Sequence, residues 1–194
     1  MGLFTDQDLD ALELSLGHGD LRKSEKEVLA GIGGKDARQE HDVFLCHSTL
    51  DKRQILLVRE SIVQRGFSVY VDWIDDPQMR HNKVTLENVK SLRGRMKRCQ
   101  SLVYAVSNGS KRSMWMPWEL GLFDGMGSRV AILPIVRIPM FTYSGQEYLG
   151  LYPYITKEEN KKREPRLWVR RDAHTYAEFG QWLKGKEPAT SPSK

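Results

Sequence analysis

The stretch Asp42–Trp73, "DVFLCHSTLDKRQILLVRESIVQRGFSVYVDW", decides the fold. "DVFLCH" is a short continuous apolar run, the pattern of a strand covered on both faces. "DKRQILLVRESIVQRG" then places Ile55, Leu56, Ile62 and Val63 at helical spacing, and Gly66 closes the helix. "FSVYVDW" reads as a second strand. The same alternation continues downstream: "VTLENVKSLRGRMKRC" is a basic amphipathic helix, "SLVYAVS" a third strand, "SMWMPWELGLFDGMG" a helix and "RVAILPIV" a fourth strand. Beyond Pro139 the signal weakens, until "RLWVRR" suggests an edge strand and "TYAEFGQWL" a closing helix. Strands separated by helical patterns imply an α/β fold, a parallel sheet with helices on both faces.

Upstream of this unit, Thr5 to about Ala30 reads as two short helices, Thr5 with Asp8 and Ser24 with Glu27 each resembling a capping box. Residues 1–40 are therefore expected to form an N-terminal helical extension, 41–185 the main domain, and 186–194 a disordered tail. "GIGGK" is no phosphate loop, because no strand precedes it and Asp36 follows the lysine where Ser or Thr should hold magnesium.

Of the 194 residues, 40% are hydrophobic and 28% charged, ordinary values for a soluble globule. No apolar run approaches the roughly 18 residues of a spanning helix, and the acidic, polar N-terminus is unlike a signal peptide. "MGLFTD" carries Asp6 where a myristoylation signal wants Ser or Thr. A cytoplasmic location is expected, with no membrane partner. Cys46 and Cys99 are read as free, buried thiols. The net charge of +5 divides unevenly: the first 40 residues carry nine acidic and five basic side chains, so the rest carries +9. A basic body favours anionic partners without choosing among them.

In an open parallel sheet, ligands bind beyond the carboxyl ends of the strands, near the switch in strand order. That rule selects His47 and Ser48 after the first strand, Asp72 and Trp73 after the second, and Asn108 to Glu119 after the third. In the last segment Ser113 can cap a helix, and Pro117 falls in a first turn where backbone N–H groups lack partners. Trp115 and Glu119 stand four residues apart and share a helix face. Most glycoside cleavage needs two carboxylates, because an alkoxide must be protonated to leave. A pyridinium such as nicotinamide departs neutral, so one carboxylate beside the ribose can suffice. The bland alternative is a glutamate favoured by the helix dipole beside tryptophans that pack in the core.

These residues resemble a known family. "HDVFLCHSTLDK" is similar to the first signature box of Toll/interleukin-1 receptor (TIR) domains, and "VDWIDDPQMRHNKVT" lies where their BB loop is expected. "SNGSKRSMWMPWELG" resembles the TIR segment S-x-W-x-x-x-E, which falls here on Ser113, Trp115 and Glu119. The resemblance covers roughly residues 41–185 and is nearest to the stand-alone bacterial members, including a TIR-like component of Thoeris antiphage defence. It implies a flavodoxin-like TIR fold with a five-stranded parallel sheet. It also implies cleavage of NAD+ to nicotinamide and ADP-ribose or a cyclised ADP-ribose, with NAD+ as substrate and no separate cofactor. Glu119 takes the catalytic position, Ser113 and Trp115 support its pocket, and His47, Ser48, Asp72 and Trp73 carry over as substrate-binding residues by loop position. Activation by self-association, with the Trp73–Val84 loop completing the site across an interface, and a downstream effector that senses the cyclic product are further expectations. The BB segment departs from the family in length and in lacking the usual glycine.

Other classes have less behind them. Cys46 and His47 are sequence neighbours on a strand and point to opposite faces, which excludes a nucleophile-base pair. The histidines 18, 41, 47, 81 and 174 show no metal-ligand spacing. The basic run from Lys83 to Arg98 lacks the interleaved aromatics of a single-strand binder, so nucleic acid is not expected. A receiver domain would want an acidic cluster that "DVFLCH" does not supply. A non-catalytic TIR adaptor and a nucleotide-sensing module are the remaining alternatives.

Overall fold

The structure is a computed structural model that describes residues 2–16, 39–75, 85–107, 109–145, 147–160 and 164–190. The second expected N-terminal helix, "GIGGK", Asn108, His18, His81 and most of the BB segment lie outside the described residues.

Five parallel strands form the centre: β2 (His41–Cys46), β3 (Val69–Tyr70), β4 (Cys99–Val106), β5 (Arg129–Val136) and β6 (Tyr154–Glu159). Their order is β3-β2-β4-β5-β6, the flavodoxin-like order, and the chain reverses direction across the sheet between β2 and β4. The sheet is the expected flavodoxin-like one, with five parallel strands. The fifth parallel strand, "YITKEE", was not visible in the sequence pattern.

Side chains alternate across a strand, and here both faces are covered. Val43, Leu45, Val103 and Ala105 face one core, which contains residues of α1 (Asp6–Leu16), α2 (Lys52–Val63) and α6 (Phe179–Leu183). Phe44, Cys46, Leu102 and Tyr104 face the other, under α4 (Leu86–Met96) and α5 (Trp115–Asp124). That is why "DVFLC" is apolar without alternation. Gly66, at φ 86°, ends the turn after α2 in a conformation that favours glycine.

Three expectations are corrected. Residues 2–16 are built into the domain: β1 (Phe4–Thr5) pairs with the end of β5, and Gly2 exchanges backbone hydrogen bonds of 3.0 and 2.9 Å with Lys157 of β6. Leu3, Phe4 and Leu9 are buried, because such apolar residues gain more from the core than from solvent. The first capping box does form, with Thr5 N donating to Asp8 at 2.9 Å and Asp8 N to Thr5 Oγ1 at 3.1 Å.

Second, "RLWVRR" is no edge. It is β7 (Pro165–Arg170), antiparallel between β6 and β8 (Thr175–Glu178), so only the end of "TYAEFGQWL" is helical. Third, Ala189–Thr190 of the expected disordered tail is β9 and pairs with β8. The remaining short helix, α3 (Asp72–Asp75), cuts off the second strand early; Asp75 accepts from Val71 N at 2.7 Å.

No helix among the described residues is long and apolar enough to cross a membrane.

Candidate active site

The crevice between β2 and β4 is where ligand chemistry is expected in this topology. Parity and register set its floor. Cys46 pairs with Tyr104 across the ladder, and both side chains face α5. From α5, Glu119 comes down onto them and is only 4% exposed. It stands in the second turn of α5 rather than the first, so the helix dipole does not account for it.

The Cys46 thiol is pushed well above its ordinary value, first by complete burial, then by the charge and hydrogen bond of Glu119, then by Asp72. Burial likewise raises Tyr104, with Cys46, Tyr148 and Glu119 adding to it. Both groups therefore stay protonated and neutral at physiological pH. Neither was singled out from sequence as part of the site. The signal was there in the register: once β2 and β4 are aligned, Cys46 and Tyr104 must lie side by side beneath the glutamate.

The start of α5 is held by a knot of short polar contacts. Asp51 accepts from Ser107 Oγ at 2.5 Å, and Ser107 and Ser110 bond each other, Ser110 Oγ donating to Ser107 O at 2.8 Å. A Cβ on Gly109 would overlap the Asp51 carboxylate, so a side chain there would displace that carboxylate from Ser107. Ser113 Oγ accepts from Met116 N at 3.3 Å, the expected cap. Pro117 is in the first turn and exposed, as expected. Trp115 is half-buried and meets Trp118 edge-on at 5.5 Å, one turn above Glu119.

His47 and Asp72 are brought together on the β3 side of the crevice. His47 Nδ1 donates to Leu45 O at 2.8 Å, which leaves Nε2 to face Asp72 Oδ1 at 3.4 Å, an ion pair when the imidazole is protonated. The alignment is too poor for a hydrogen bond between them. Asp72 reaches far enough to act on Cys46, so this pair borders the Glu119 floor. Ser48 is buried and spends its hydroxyl on Leu50 N at 3.3 Å. Trp73 is not brought to Glu119. It packs against the opposite core, with Lys52 Nζ 5.1 Å above its ring.

No protein-family model matches the chain. A protein of Bacillus cereus named "Probable 3' cyclic ADP-D-ribose synthase ThsB'" is 40% identical over 192 residues, covering 95% of this chain and 99% of that protein. Among solved structures, the TIR domain of the Toll-related receptor TRR-2 from Hydra magnipapillata superposes with a TM-score of 0.40 at 15% identity, over 56% of this chain and 76% of that one.

Proposed function

The chain belongs to the TIR-like ThsB family, and from that premise we propose how it works as an NAD+-cleaving ADP-ribosyl cyclase, with Glu119 as the catalytic carboxylate. The observation that carries the assignment of Glu119 is its burial against a neutral thiol and a neutral phenol at the crevice of the sheet, in a chain aligned with a named cyclic ADP-ribose synthase along nearly its whole length.

The chemistry follows from the leaving group. As the bond from ribose C1′ to the pyridinium nitrogen breaks, nicotinamide departs neutral with the electron pair, and positive charge spreads over the ribose ring. A carboxylate in a water-poor site stabilises that charge far more than one in bulk solvent. A ribose hydroxyl from the adenosine end then attacks C1′ and closes the ring, its proton passing by way of Glu119 to solvent. Capture by water instead gives linear ADP-ribose. The name of the relative makes a 3′-linked cyclic product the expected outcome. His47 and Asp72 border the site, Ser113 and Trp115 support the start of α5, and self-association through TIR surfaces activates the enzyme. In Thoeris-type antiphage defence in the cytoplasm, the cyclic product would signal to a separate effector.

The test is the mass of the product when purified protein is incubated with NAD+ over a wide range of protein concentration. The reading expects nicotinamide together with a nucleotide one water lighter than ADP-ribose, released at a rate that rises more steeply than linearly with protein. Absence of nicotinamide at every concentration would overturn it.

A further inference from the structure

Two helices on opposite faces of the sheet turn complementary sides to solvent. α1 buries Leu9 in one core, and α4 buries Leu92 and Met96 in the other. Each helix is 11 residues long. On the outer side of each stands one leucine far out in water, Leu14 at 70% and Leu86 at 82% exposure. A single exposed leucine needs no explanation, but here each belongs to a stripe of one charge.

Residues three and four apart share a helix face, so Leu86, Lys90, Arg93 and Lys97 form one exposed stripe along α4. Its three cations have no carboxylate partner among the described residues. On α1 the outer stripe is Gln7, Asp10, Ala11 and Leu14, and the charged residues of that helix are all acidic: Asp6, Asp8, Asp10 and Glu13. Arg53 holds Asp10 at 2.6 Å and also Glu13, and Lys157 holds Asp8. Two cations against four carboxylates leave the side acidic.

The spacings agree in one register. In an antiparallel pair the numbers rise along one helix and fall along the other, so Asp10 opposite Lys90 sets Leu14 opposite Leu86 and Gln7 opposite Arg93. A parallel pair would instead set Asp10 on Leu86 and Leu14 on Lys90. Nucleic acid would meet the cations of α4 yet leave Leu86 in water, which favours a protein partner.

We propose that α1 of one copy of this chain docks antiparallel on α4 of a second copy. The inference rests on the self-association in the function proposed above and names its surface. The two faces differ and lie on opposite sides of the sheet, so the contact is heterologous and repeats into a ring or an open chain. Two three-turn helix faces make a small interface of the transient kind. In sequence α4 follows directly on the Trp73–Val84 segment, so docking there brings a neighbour to the segment expected to complete the site.

The test is sedimentation of the full chain, without NAD+, over a wide range of protein concentration. The wild type should grow beyond a dimer, less so at high salt. Asp10→Lys and Lys90→Glu should each weaken association at least about tenfold, because each sets like charges face to face. An equimolar mixture of the two variants should recover it, since Lys at 10 then meets Glu at 90 and the untouched faces meet each other. Should Asp10→Lys fail to fold beside Arg53, Leu14→Ser replaces it and should weaken association with unfolding unchanged. A wild type that stays monomeric would overturn the contact and the self-association reading together. Association kept by both variants, or a mixture no better than either alone, would overturn the contact and leave that reading standing. Loss of binding to a duplex oligonucleotide in Lys90→Glu, with association unchanged, would make the α4 stripe a nucleic-acid surface and equally overturn it.

Discussion

Two buried polar centres in this molecule are built on opposite principles. In the antiparallel half, Arg170 is 4% exposed and its donors are met in turn: Nε by Thr156 Oγ1 at 3.1 Å, Nη1 by Ala173 O at 3.2 Å and Nη2 by Glu158 at 3.0 Å. Tyr176 covers the guanidinium from 4.6 Å. Its charge is absorbed where it stands. In the parallel half, Glu119 is equally buried, yet the thiol and phenol beneath it are neutral and a second carboxylate, Asp72, acts on the same thiol. The Arg170 network meets its charge with a carboxylate, a hydroxyl and a carbonyl of the fold, whereas the thiol and phenol beneath Glu119 carry no compensating charge of their own.

The largest effect that could break this contrast is on stability. Arg170→Met should cost about 3 kcal/mol in urea unfolding, because it strands Glu158 and Thr156 together with a backbone carbonyl. Nicotinamide release per folded molecule should stay as in the wild type. A loss of activity without a loss of stability would make the Arg170 centre functional and erase the distinction. A smaller and mixed effect belongs to Gly109→Ala, which pushes the new methyl into Asp51. It should cost about 1 kcal/mol of stability, the worth of the Asp51–Ser107 hydrogen bond it displaces, and also slow turnover, since the same knot precedes α5 and therefore Glu119. The smallest outcome is an absence of reaction. With the Cys46 thiol raised well above its ordinary value and Cys99 pushed up to about 12, chiefly by burial, both remain protonated at pH 8. Iodoacetamide should leave both unlabelled in the native protein and label both in urea; fast native labelling of Cys46 would mean that the floor under Glu119 is open and wet.

How much of this was legible before the structure depended on how local each signal was. The apolar run at β2, the helix closed by Gly66 and the long strands β4 and β5 announce themselves because each is set by its own residues. "YITKEE" did not, since its buried face is only three residues, Tyr154, Ile155 and Thr156, and its polar end reads as loop. Phe4 and Thr5 form too short a strand for any periodicity; what makes them a strand is the free end of β5. "TYAEFGQWL" mixes a strand partner for β7 with the short helix, so pairing overrides the helical pattern. At the site, Glu119 could be singled out from its spacing to Ser113 and Trp115. Cys46 and Tyr104 could not, because their proximity to it comes from the register of two strands more than fifty residues apart. Trp73 was chosen by loop position alone, and the early helical turn at Asp72 carries it to the other face.

The most direct test of the central claim is nicotinamide release from NAD+ by the wild type and by Glu119→Gln at equal folded concentration. Glutamine keeps the shape and removes only the charge. The account predicts that release falls by a factor of about 1000 or more, with the unfolding free energy unchanged or slightly raised. Equal release by the two proteins would contradict it and take the buried carboxylate out of the mechanism.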